Sequence, residues 1–252
     1  MSITQQTLVA NNYQWHESNT QQSLASDLAD RITVELSAAI AQRGQAIIAF
    51  SGGSTPKPLF EALLTRNIDW SKVIVTLVDE RWAPIGHPLS NAGFLIDHLL
   101  GKLPTTPKFV PLFNISAAAM NASMSLIPVL CDYARITEST IAQPARFDVS
   151  ILGMGSDAHT ASFFPDADNI KQLVDPNSTE MLLSCTSPSS QIDRVTWSLP
   201  MLLKSSFLAL HFTGKSKRNV FEQALGDSNA ELMPIRSFLF QTEKHLNVYY
   251  SD

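Results

Sequence analysis

Only two cysteines occur in the 252 residues, Cys131 and Cys185, far apart and outside any Cys-x-x-Cys. That spacing gives no disulfide framework and suits a reducing compartment. An excess of positive charge is also missing: 18 Lys and Arg stand against 23 Asp and Glu, and the formal net charge is -5. The cations are scattered, so no field is present that would hold a nucleic acid or an anionic membrane surface. No apolar run reaches membrane-spanning length, and residues 1–6 carry neither the basic flank nor the apolar core of a signal peptide. A cytoplasmic protein is therefore expected. Internal repeats, linkers and low-complexity tracts are absent as well. What is present is an ordinary globular composition, 44% apolar and 16% charged. The length permits a sizeable core in one or at most two units.

Strands and helices alternate along the chain. A short edge strand is expected near Tyr13 to His16. Leu24, Leu28, Ile32, Leu36 and Ile40 recur at four-residue spacing as one face of a helix that ends at Gly44. Ala46 to Phe50 is a short continuous apolar run suited to a strand buried on both faces. Phe147 to Leu152 is an alternating apolar run, and Val73 to Val78, Phe207 to Phe212 and Leu246 to Tyr250 are also expected as strands. Met181 to Cys185 and Ile192 to Trp197 are further expected strands. Ser90-Asn91 caps a helix through Leu95 and Leu99, Ser116 to Ile141 reads as a long helix, and Pro234 to Leu239 as a short one. This alternation predicts a single α/β domain over residues 1–252, with a doubly wound, mostly parallel, Rossmann-like sheet and helices on both faces.

Chemistry collects at the strand ends. After Phe147–Leu152 the chain reads Gly153-Met154-Gly155-Ser156-Asp157-Ala158-His159-Thr160-Ala161-Ser162, a Gly-x-Gly turn followed closely by Asp and His. A histidine there can serve near neutral pH as base, acid or ligand. After Ala46–Phe50 comes Ser51-Gly52-Gly53-Ser54-Thr55-Pro56, with Pro56 placed for a first helical turn. Hydroxyls and free N–H groups at a helix start suit a phosphate oxygen. The loop lacks the Gly-Lys-Ser/Thr of a Walker motif. Val73–Val78 ends in Asp79-Glu80-Arg81, three charges that are costly to bury unless paired or bound. Phe207–Phe212 ends in Thr213-Gly214-Lys215-Ser216-Lys217-Arg218, cations in a first helical turn where an anion would offset their repulsion. A serine-esterase site is disfavoured because neither Ser51 nor Ser54 lies in a Gly-x-Ser-x-Gly elbow. Asp157 and His159 alone are too few ligands for zinc, so no metal is expected.

In this order and at these separations, the four motifs resemble those of the 6-phosphogluconolactonases, within the wider group that includes the glucosamine-6-phosphate deaminases. The resemblance runs from about residue 20 to 225. It implies hydrolysis of 6-phosphoglucono-1,5-lactone in the oxidative pentose phosphate pathway, with no cofactor and a small phosphorylated lactone as the only ligand. His159 would be the base that deprotonates water, and Asp157 either holds it or merely forms the turn. Ser51, Gly52, Gly53, Ser54 and Thr55 would cradle the phosphate with Lys217. Oxyanion donors would be the Gly153 to Gly155 backbone or Arg81. Arg81 and Arg194 match family arginines able to pair with phosphate or lactone oxygens, and Arg194 is equally suited to pair with Asp79 or Glu80. Asp79 is otherwise an acceptor for sugar hydroxyls.

Two positions depart from the family pattern: Ala158 replaces the usual Gly, and Leu89 replaces an acidic residue before Ser90-Asn91. In the deaminases the motif resembles Asp-Gly-His with a Glu five residues after the His; here that position is Phe164, which cannot move protons. A deaminase or isomerase, and a non-catalytic sugar-phosphate-binding regulator, are the alternatives. Monomer and dimer are both compatible with the sequence.

Overall fold

The computed structural model describes residues 12–112, 146–190 and 192–252. The expected helix over 116–141 and Cys131 lie outside the described residues. The first half of the chain forms β1 Tyr13–Glu17, α1 Gln21–Arg43, β2 Ala46–Phe50, α2 Lys57–Leu64, β3 Val73–Leu77, β4 Asp79–Arg81, α3 Asn91–His98 and β5 Lys108–Phe109. The second half forms β6 Val149–Leu152, α4 Ile170–Leu173, β7 Leu182–Cys185, β8 Arg194–Trp197, α5 Leu199–Leu203, β9 Phe207–Thr213, α6 Lys215–Ala224, α7 Arg236–Leu239 and β10 Leu246–Ser251.

Among the described residues the main sheet has the order β1-β10-β9-β6-β2-β3-β5, and every pairing in it is parallel. Every residue of β2, β3 and β6 is buried, as expected of strands covered on both faces. Leu24, Leu28, Ile32 and Leu36 of α1 are fully buried. Each contributes about 1.5–3 kcal/mol of apolar burial. The helix starts at Thr20, whose hydroxyl accepts from Ser23 N at 3.1 Å, and it stops at Gly44. Its last residue, Arg43, pairs with buried Asp148 at the start of β6, and Asp148 Oδ2 also accepts from Ile47 N at 2.8 Å. No helix of the described residues is long and apolar enough to cross a membrane.

The strands expected over 181–185 and 192–197 are present as β7 and β8, and with Asp79–Arg81 they stand outside the main sheet. They form a separate antiparallel sheet, β4-β8-β7. It hangs from the end of β3: Trp197 Nε1 donates to Leu77 O at 2.8 Å and Trp197 N to Val78 O at 3.2 Å. The apolar patterning of 182–185 and 194–197 identifies strands but not which sheet they join.

Candidate active site

Strands β9, β6, β2 and β3 are consecutive neighbours, and their register sets Phe50 level with Leu77 and Ile151, and Leu152 level with Leu210. Being parallel, they release the four motifs at one edge. The chain reverses its direction of spread at β2, with β3 and β5 on one side and β6, β9 and β10 on the other. Ligand crevices open beyond the carboxyl ends at such a reversal. An open cleft of about 250 Å³ lies there, lined by Ser51–Thr55, Asp79, Arg81, Asn91, Gly153–Gly155, His159, Arg194, His211 and Lys217. Of the catalytic and substrate-binding residues that the resemblance implies, Asp157 alone is not in the lining; it bonds to His159, which is.

The turn after β6 spends its own polar groups on one side chain. Gly155 N donates to His159 O at 2.9 Å and Ala158 N to Gly155 O at 3.2 Å. Asp157 Oδ1 accepts from His159 N at 3.2 Å and pairs with His159 Nδ1 at 2.6 Å. Burial works against the Asp157 charge, but the bonds and charge of His159 outweigh it and hold the carboxyl below its ordinary range. The ionised carboxylate makes Nδ1 the protonated nitrogen and leaves the Nε2 lone pair free in the neutral ring. Nε2 has no partner among the described residues. Gly155 is a steric requirement, since a Cβ there would sit 2.2 Å from His159 Nδ1 and 2.5 Å from Asp157 Oδ1. Ala158 does adopt the left-handed backbone, at φ 64, and Ala161 follows at φ 51. That conformation costs a non-glycine residue about 1–2 kcal/mol. The Ala158 carbonyl is held by Ile235 N at 3.0 Å.

Of the Gly153 to Gly155 N–H groups expected as oxyanion donors, those of Gly153 and Gly155 are engaged, while that of Met154, in the cleft lining, has no acceptor among the described residues. Gly153 N donates to Ser51 Oγ at 3.2 Å, which ties this turn to the loop after β2, and Gly155 N is in the bond to His159 O.

The loop after β2 behaves oppositely. The N–H groups of Gly52, Gly53, Ser54 and Thr55 have no acceptor among the described residues, and they lead into α2, where Pro56 occupies the cap. Gly52 admits no side chain, because its Cβ would lie 1.8 Å from Asn91 Oδ1. Asn91 Nδ2 donates to Asp79 O at 2.9 Å, and its buried Oδ1 has no partner. Facing this loop, Lys217 in the first turn of α6 makes no ion pair among the described residues, and burial draws its amino group below the usual lysine value. His211 on β9 is 4% exposed. Burial, and then the Lys217 charge, push its imidazole down to about 4, so it is neutral at pH 7.

The third motif divides its charges. Glu80 is fully buried and accepts from Arg81 N at 2.7 Å, Asn91 N and Ala92 N at 2.8 Å each, and Ser90 Oγ at 3.1 Å. It pins the start of α3 and does not pair with Arg194. Burial raises its carboxyl against these bonds. Asp79 Oδ2 accepts from Ser162 Oγ at 2.6 Å and from Arg194 Nη1 at 3.4 Å. Arg81 and Arg194 are direct cross-strand partners, two like charges side by side in the lining. Such a pair is unfavourable without an anion. Arg81 Nη1 donates to Leu89 O at 2.8 Å, while its Nε is buried without a partner.

Residues 19–247 match the family described as glucosamine-6-phosphate isomerases/6-phosphogluconolactonase. The chain belongs to this family. A 6-phosphogluconolactonase of Mesorhizobium japonicum is 38% identical over 239 residues, covering 95% of each chain. One from Pseudomonas putida is 37% identical, covering 93% of this chain and 91% of the relative. The crystal structure of a 6-phosphogluconolactonase from Shewanella baltica OS155 superposes with a TM-score of 0.84 at 32% identity, over 96% of this chain and 99% of the other. Measured against the sequence reading, this member of the family adds His211, Asn91 and Ser162 to the site. His211 carried a signal: it is the one polar side chain between Phe207 and Phe212, near the carboxyl end of its strand. Ser162 carried none beyond its place in the motif.

Proposed function

We propose that the chain is a 6-phosphogluconolactonase, which hydrolyses 6-phosphoglucono-1,5-lactone to 6-phosphogluconate. The observation that carries this reading is the meeting, in one cleft, of an Asp157-oriented His159 with a free Nε2 and a loop of free N–H groups faced by Lys217. The substrate phosphate rests on Gly52 to Thr55 at the start of α2 and takes its counter-charge from Lys217. His211 supplies a neutral N–H on the same side. With the phosphate there, the lactone ring extends toward His159. Nε2 takes a proton from water as the oxygen adds to C1, and Asp157 balances the imidazolium. Charge develops on the former carbonyl oxygen. Gly153 and Gly155 already donate internally, so the donors that meet it come from the Met154 N–H, Arg81 and Arg194. The C1–O5 bond then breaks, Nε2 returns its proton to O5, and the new carboxyl ionises. Asp79, with Oδ2 engaged by Ser162 and Arg194, offers Oδ1 to a sugar hydroxyl.

A single domain in the cytoplasm, acting on a small phosphorylated lactone and neither nucleic acid nor membrane, completes this reading. The deaminase alternative needs a proton-transferring group where Phe164 stands, 4% exposed and stacked on His159. The test is a lactone assay corrected for spontaneous opening. His159→Ala is expected to lose about a hundred- to ten-thousand-fold over that background while remaining folded. Wild-type turnover in this variant would remove His159 as the base.

A further inference from the structure

The bond to Asp157 holds His159 Nδ1 at 2.6 Å, and the ring is otherwise tethered by its Cβ–Cγ bond. Coupled rotation about χ1 and χ2 can still swing Nε2 through an arc while Nδ1 stays within reach of the carboxylate. A base must keep its lone pair on a line to the attacking water, and a displacement of about 1 Å costs as much as 10²-fold. Something else has to set the plane.

Phe164 meets that requirement. Its ring lies 4.2 Å from the His159 ring, centroid to centroid, at an interplanar angle of 21°. The Arg194 guanidinium carbon stands 4.7 Å from the centroid of the same Phe164 ring. Among the described residues, the ring stacking and the cation contact of Phe164 are thus both with polar, chemistry-bearing side chains, while the ring itself is buried in the core. Its neighbour Phe163 instead stacks on Phe238 in the core, at 6.0 Å. The backbone arranges this division. Left-handed Ala158 and Ala161, a bridge between Thr160 and Phe163, and the bond from Phe163 N to Thr160 O at 3.0 Å fold the chain back after His159. Five residues on, Phe164 returns over the imidazole. It does not line the cleft.

We propose that Phe164 is a positioning residue that sets the plane of the His159 imidazole, with Asp157 fixing its direction. The proposal rests on the reading of His159 as the base. Arg194 has a second tether that does not involve Phe164, its bond to Asp79 Oδ2 at 3.4 Å. The effect is therefore expected in turnover rather than in substrate binding.

The test has a spectroscopic and a kinetic arm. In protein with labelled histidines, the His159 ring protons, assigned by their loss in His159→Gln, are expected upfield of the other histidines through the Phe164 ring current. That displacement should disappear in Phe164→Leu and persist in Phe164→Tyr. In the corrected lactone assay, Phe164→Leu is expected to lower kcat about tenfold with KM within about twofold, and Phe164→Tyr to recover most of it. An undisplaced His159 resonance in the wild-type protein would overturn the proposal without any variant having to fold. So would unchanged kcat in Phe164→Leu, or a change confined to KM, if His159→Ala is inactive. Full activity in His159→Ala would instead remove the base reading, and the proposed consequence with it, even where the ring-current shift is seen.

Discussion

The loop after β2 and the turn after β6 begin from the same local formula, a buried parallel strand running into glycines, and they spend their backbone in opposite ways. Gly52 to Thr55 keep four consecutive N–H groups without an acceptor among the described residues, at the start of a helix. Gly153 to His159 turn theirs inward, to Ser51, to the His159 carbonyl and to the Gly155 carbonyl. The first pattern serves a ligand that brings its own acceptors, such as a phosphate. The second serves a single side chain that has to be held still. Glycine is required in both, by the Asn91 amide in one and by the His159–Asp157 pair in the other. In the proposed reading, binding and proton transfer are thereby separated onto two loops, which the Gly153 N–Ser51 Oγ bond joins.

Substitution at the two glycines gives the sharpest test of that separation. Gly155→Ala drives a methyl into the Asp157–His159 pair and is expected to cut kcat by about 100-fold with little change in KM. Gly52→Ala disturbs the N–H cradle and is expected to raise KM first. Steady-state kinetics on both would break the comparison if the two variants lost kcat and KM alike. A smaller effect is expected at the cation facing the cradle. Lys217→Ala removes a charge-assisted contact of about 1.5–3 kcal/mol, which is about 10- to 100-fold in KM, and it should weaken competition by inorganic phosphate in parallel.

His211 gives a stability test on the binding side. Its imidazole is pushed down to about 4 in the folded chain, below the ordinary value of 6.5. Between these values the unfolded chain binds the extra proton, so this group makes stability fall as pH is lowered from 6.5 toward 4. From about pH 6 to about pH 5 the loss amounts to roughly 1 kcal/mol. Urea unfolding of wild type and His211→Gln at both pH values should show the smaller drop in the variant. The smallest effect is expected on the catalytic side. Ala158→Gly relieves left-handed strain but adds unfolded-state entropy, so stability should move by no more than about 0.5 kcal/mol. A large change in kcat there would mean that the alanine methyl helps to place His159.

Much of this arrangement is legible in the residue order because parallel strands buried on both faces read as unbroken apolar runs. Ala46–Phe50 and Phe207–Phe212 announce themselves, and the Gly and Pro after them mark the loops. Asp79–Arg81 is illegible as a strand. It is three charged residues long, and its partner β8 lies over a hundred positions away, so neither composition nor periodicity betrays the pairing. For the same reason the Arg81–Arg194 juxtaposition could not be foreseen, although each arginine could be named. The engaged N–H groups of Gly153 and Gly155 depend on Ser51 and on the fold-back of the turn. Both are tertiary facts, and they take these two N–H groups out of the set of oxyanion donors.

The pairing of β1 with β10 joins residues 13–17 to residues 246–250 at one edge of the sheet. During synthesis β1 emerges early, yet the strand it must lie against is made more than two hundred residues later. Until then the edge of β9 that receives β10 is open, with a row of unpaired amides beside Leu208 to Thr213. Such an edge is a template for another chain. The strand that carries His211 and leads to Lys217 is therefore an exposed edge in the nascent protein until β10 pairs with it.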